Sequence, residues 1–184
     1  MTATRSVTGS ADEGFSLLEL IMAVVLLGIV GSLAVTVLVN TWWTQESVSA
    51  QTRATARGQL IASEIERAMR NAVAFEIADG GATLKVTTSL DGDMQCQAMT
   101  FTGDGARMTV TDSPNPDSAA WPLWQPLITR SGAADYFVPI GSNGVTYTFD
   151  ATTAEPGERT TAPVHFTGDA YMRNASEGTM SPCW

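Results

Sequence analysis

Twenty consecutive residues, Leu20 to Val39, carry no formal charge. At about 1.5 Å of rise per residue, such a run makes a helix about 30 Å long, the thickness of a bilayer's hydrocarbon core. No other stretch narrows the fold as much, because only helices and closed barrels cross lipid with every backbone group paired. The hydroxyls within it, Ser32 and Thr36, are tolerated because they bond back to the chain. Trp42 and Trp43 follow directly, where an interfacial aromatic belt would sit. A cleaved secretory signal has a basic start, a shorter apolar core and a small-residue cleavage site. This run is too long for that and ends in "VNTWWTQE", so it reads as a retained anchor. Arg5 is the one cation in the first fourteen residues, so a positive-inside bias does not set the orientation.

Glu19 stands at the mouth of this run. An ionisable group in a membrane segment costs about 2.5–3.5 kcal/mol at mid-depth, and less near an end where it reaches the interface. The bland reading is a carboxylate that snorkels to the headgroups. The sharper reading is a group waiting for a partner.

The stretch "GFSLLEL", Gly14 to Leu20, followed by the uninterrupted apolar run to about Val39, resembles the type IV prepilin signature. That family comprises type IV pilins, minor pilins, and the pseudopilins of type II secretion and competence. The resemblance implies that Gly14 is the last leader residue. Phe15 would become the new N-terminus, cut and N-methylated by a prepilin peptidase, and Glu19 would guide assembly. Electrostatics agrees with that role. In a bundle of such helices the new amine of one subunit pairs with the carboxylate of the next, and low dielectric strengthens the attraction while making an unpaired Glu19 costly. Two features depart from the commonest pattern: Asp12 and Glu13 precede the junction, and no proline interrupts the helix near Val35-Thr36-Val37. The missing proline points away from a major subunit. Gly28 and Gly31, three apart, do not make a G-x-x-x-G face.

Beyond the anchor, no proline occurs before Pro114. Ile61, Ile65, Ala68, Ala72 and Phe75 recur at helical spacing, with Met69 and Val73 widening the stripe. Glu66 and Arg70 sit four apart in the favourable order. "ADGG", Ala78 to Gly81, reads as the helix stop, and Gly58 is the weak point before it. After Gly81 the pattern changes to short alternations: "TLKVT", "MQCQAMTF", "ARMTVT", "GVTYTF" and "PVHFT" read as strands. "DSPNPDSAAWPLWQP" reads as a loop by its prolines, with Trp121 and Trp124 folding back on the sheet, and "TTAEPGERTTAP" as another. The expected fold is α+β and pilin-like: a long N-terminal helix, membrane-spanning in its first half, packed on a small antiparallel sheet. The expected division is a leader over 1–14, a transmembrane and assembly helix over 15–41, its amphipathic continuation over 42–79, and a β-rich domain over 80–184.

A net charge of −9 and a pI of about 4.4 repel phosphate backbones, so no direct nucleic-acid partner is expected. The two cysteines, Cys96 and Cys183, form no C-x-x-C pair. The resemblance places everything after about Trp42 outside the cytoplasmic membrane, where a disulfide persists, and two cysteines leave one intramolecular pairing. His165, the one histidine, has no catalytic signature around it. Asp91 and Asp93, in "DGD", could begin a calcium loop but lack its remaining ligands, and a solvated turn is the simpler reading. "NAS", Asn174 to Ser176, matches a glycosylation sequon that a prokaryotic resemblance discounts. No Walker-type loop, G-x-S-x-G or H-E-x-x-H occurs. The expectation is therefore no enzyme, no cofactor and no metal, but a minor pilin or pseudopilin in a type IV pilus-like or type II secretion-like filament. Its partners would be the membrane, other pilin subunits and the prepilin peptidase. Its leader would face the cytoplasm and its C-terminal domain the exterior, or the cell surface after assembly. The alternative is a displayed pilus-tip adhesin or substrate-binding module, which should expose an aromatic patch around Trp121 and Trp124.

Overall fold

The structure, a computed structural model, describes residues 16–90, 93–111, 120–153, 162–173 and 183. Its chain divides into two compact units, Met1–Gln45 and Glu46–Trp184. Helix α1, Leu17–Arg70, supplies everything described in the first unit except Ser16 and the opening element of the second. In the first unit the helix is apolar and exposed on every side, from Leu17 through Val39. In the second, Ala54, Ile61, Ile65, Ala68 and Met69 turn inward and are buried, at the helical spacing that the sequence predicts for one packed stripe.

α1 stops at Arg70, not near Ala78. Asn71 closes its last turn: its backbone N–H reaches the carbonyls of Arg67 and Ala68, at 3.3 and 3.2 Å, and its side-chain amide donates to Arg67 at 3.0 Å. Residues Ala72–Ala78 then form strand β1. "ADGG" is accordingly a hairpin turn, with φ of 53°, 63° and 85° at Asp79, Gly80 and Gly81. Positive φ costs glycine little, which is why two glycines sit there. "AVAFEIA" fits both periods, with Phe75 and Ile77 two apart, and pairing with the next strand decides between them.

That next strand is β2, Thr83–Leu90, followed by β3, Asp93–Thr102, β4, Gly105–Thr111, and β5, Leu123–Pro126. They make an antiparallel five-stranded sheet in sequence order. The expectation of a loop through "WPLWQP" is therefore wrong over Leu123–Pro126, which pair with the edge of β4 despite the prolines; edge strands tolerate proline because half their N–H groups face outward. A second sheet holds β6, Ile128–Thr129, β7, Phe137–Ile140, β8, Gly144–Ala151, and β9, Val164–Tyr171. β8 is its spine: β7 and β6 pair with its first and second halves along one side, and β9 runs the whole of the other. The single small sheet expected from the sequence is thus two sheets. The chain passes between them at Leu127, whose φ of 62° is rare for a branched side chain. Thr152 holds that corner, donating both its backbone N–H and its hydroxyl to the Leu127 carbonyl, at 2.9 and 3.0 Å.

Aromatic rings join the sheets. Phe101 of β3 stacks on Tyr136 at 4.6 Å and on Phe149 of β8 at 5.5 Å, and Phe149 stacks on Phe166 of β9 at 5.3 Å. The Phe166 ring also fills the space above Gly58: a Cβ there would lie 2.0 Å from the ring. The glycine that weakens the helix locally is what lets β9 approach it.

Candidate functional site

Glu19 lies in the first turn of α1 and is exposed. The turn is closed by the Leu20 N–H on the Ser16 carbonyl, at 3.1 Å. A carboxylate at this end is favoured by the partial positive charge of the unsatisfied N–H groups. Gly14 and Phe15 lie outside the described residues. Around and beyond Glu19, Leu17, Leu18, Leu20, Ile21 and Met22 are all exposed, and none of these described neighbours shelters the carboxylate.

The rest of the segment has no polar side-chain demand that its own backbone fails to meet among its hydroxyls. Ser32 donates to the Ile29 carbonyl at 2.8 Å, Thr36 to Ser32 at 2.9 Å, Thr41 to Val37 at 2.8 Å and Thr44 to Asn40 at 2.9 Å. Such a helix meets lipid without stranding a donor. Around Gly28 and Gly31 there is open space: a Cβ at either would meet nothing within 4 Å. Among the described residues, packing requires neither glycine.

In the second unit, the structure pairs Cys96 with Cys183, at an S–S distance of 1.99 Å, and both residues are buried. Trp121 is 3 % exposed and Trp124 half-buried against the core, so neither belongs to an exposed aromatic patch. Asp91 and the Asp93 side chain lie outside the described residues, as do Asn174 and the loop "AEPGERTT". Among the described residues, no group of three or more metal-ligating side chains comes together.

His165 does gather neighbours that the sequence did not point to. Its Nδ1 lies 2.8 Å from Asp150 Oδ1 and 3.0 Å from Ser131 Oγ. A Ser–His–Asp hydrolase sets its hydroxyl against Nε2 while the acid holds Nδ1. Here both partners share Nδ1, so the serine proton has no route to the other ring nitrogen. The cluster is a polar clasp across β8, β9 and the turn after β6.

The helix is tied to the sheets by two further groups. Glu64 accepts from Arg67 Nη2 and from Gln97 Nε2 of β3, both at 2.6 Å. Burial acts to raise the Glu64 pKa, but the hydrogen bonds from Arg67 and Gln97 outweigh it and hold the carboxyl below its usual range. Glu66, expected to pair with Arg70, instead accepts the Tyr147 hydroxyl at 3.0 Å. Burial, and then that carboxylate, push the Tyr147 pKa up to about 12. The sequence shows the helical face of both glutamates but not which strand meets them.

One apolar helix long enough to cross a bilayer, leading into a helix packed on antiparallel sheets, defines a pilin-like architecture. Residues 9–35 match the family model described as the prokaryotic N-terminal methylation motif, the signature of type IV prepilin-like proteins. The motif supports membership of the type IV pilin and pseudopilin group, whose subunits are structural, and it implies a prepilin peptidase and other pilins as partners. Together with the apolar helix it suits a single-pass membrane anchor. No curated protein and no solved structure matches the chain.

Proposed function

We propose that this chain is a minor pilin or minor pseudopilin. It enters the membrane with its leader in the cytoplasm, is cut between Gly14 and Phe15, is N-methylated at Phe15, and is added to a filament or its tip. Glu19 acts as the register group, satisfied when the amine of a neighbouring subunit reaches it. The match over residues 9–35 carries this reading, since it runs without a break into an apolar helix with an acid in its first turn. The absence of proline between Leu17 and Arg70 favours a minor over a major subunit. Burial of Trp121 supports a structural role over a displayed binding patch at that place.

Mass spectrometry of the chain recovered from cells with an active prepilin peptidase tests the proposal. The expected mass is that of a chain beginning at methylated Phe15. A chain that retains Met1 through Gly14 in those cells sinks it.

A further inference from the structure

Trp42 and Trp43 have no part in processing or in the register group, yet they are the largest side chains in the first unit. Trp42 is 71 % exposed and Trp43 46 %. They follow the last apolar residue of the run, Val39, and precede Glu46, the first residue of the second unit. At 3.6 residues per turn, neighbours in sequence point about 100° apart around the helix. A helix that docks in a protein groove presents its anchors on one side, at spacings of three, four and seven. Two consecutive tryptophans face two sides at one height. That arrangement suits a medium that surrounds the helix at a fixed depth.

The axial distance fits the same medium. Glu19 and Trp42 are separated by about 35 Å of helix at about 1.5 Å per residue, slightly more than a hydrocarbon core of about 30 Å. With Glu19 at one interface, the tryptophans fall at the other. An indole there buries its ring among the upper acyl chains and turns its N–H to the headgroups. The neighbouring hydroxyls add no competing demand, because Thr41 and Thr44 are bonded to the carbonyls of Val37 and Asn40.

We infer that Trp42 and Trp43 form a lipid-interface anchor that sets the depth at which the subunit waits in the bilayer before assembly. The partner is the headgroup region of a phospholipid layer. This rests on the membrane placement proposed above, and its test separates the two. The full chain is reconstituted in phosphatidylcholine vesicles whose acyl chains carry bromine near either the ester end or the methyl end. Protease protection of residues 15–39 reports the placement, and quenching of tryptophan fluorescence reports the depth. The expected result is a protected helix with strong quenching by the ester-end bromines. Each of Trp42→Phe and Trp43→Phe should lose part of that quenching, and the double variant all of it. A protected helix whose tryptophans are unquenched, or are quenched only from the methyl end, overturns the anchor and leaves the proposed function standing. The unquenched case would point to a protein partner for the pair. An unprotected helix overturns both.

Discussion

Glu19 and Gly58 show how differently single residues announce themselves. Glu19 is legible because a charge beside twenty uncharged residues has no local explanation. Removing it costs the anchor nothing, since the substitution takes a charge out of an apolar segment. Glu19→Ala should therefore insert as well as the native chain in membrane fractionation, while its incorporation into filaments falls. Incorporation at the native rate would defeat the pairing argument. Gly58 is visible only as a weak point in a helix, and its reason lies more than a hundred residues away, in Phe166. Alanine at a helix interior normally gains up to about 1 kcal/mol over glycine. Here the new Cβ would meet a ring already stacked on Phe149 at 5.3 Å. Overpacking of this kind costs about 1–3 kcal/mol. Gly58→Ala should lower the melting temperature of the domain, and calorimetry that finds it raised would show that the ring gives way freely. Gly28→Ala is the contrasting case: no neighbour within 4 Å among the described residues opposes it, so the isolated chain should fold unchanged.

At the scale of elements, the strands with clean alternation emerged where expected, and the boundary between α1 and β1 did not. "GVTYTF" alternates Val145, Tyr147 and Phe149 into the core and Thr146 and Thr148 outward, a pattern with one reading. "AVAFEIA" has two, and its fate depends on β2, which no local window contains. The short β5 was hidden by prolines that an edge position tolerates. Contacts between elements were beyond the sequence altogether, and the Tyr147 hydroxyl on Glu66 is one of them. Its consequence has a sign. The folded-state pKa of Tyr147, about 12, lies above the ordinary tyrosine value of about 10. The folded state thus holds the proton more tightly, so this contribution to stability is complete below about pH 10 and is lost as pH rises toward 12. Denaturant titrations across that window should show stability falling, and Tyr147→Phe should flatten the fall. A variant whose alkaline profile matches the native one would show that Tyr147 is not the group responsible.

The molecule as a whole has one covalent tie besides its backbone, between Cys96 and Cys183. A loop of this size contributes about 4–5 kcal/mol in the chain-entropy account, large beside the ~5–15 kcal/mol that stabilises a typical domain. Both cysteines are buried, so a mild reductant should leave the bridge intact until the fold is opened. In the denatured, unreduced protein no thiol should react; after reduction two should, and the melting temperature should drop. Two thiols before reduction would remove the bridge and weaken the case for an exterior domain. The same tie changes how the domain bears load. Cys96 and Cys183 are 87 residues apart, and β4 through β9 all lie between them. A pull applied between α1 and Cys183 passes from β3 straight across the bridge. About 300 Å of chain, at about 3.4 Å per residue, is then hidden from the force. The strands inside the loop can lose their packing under tension, but they cannot pay out length.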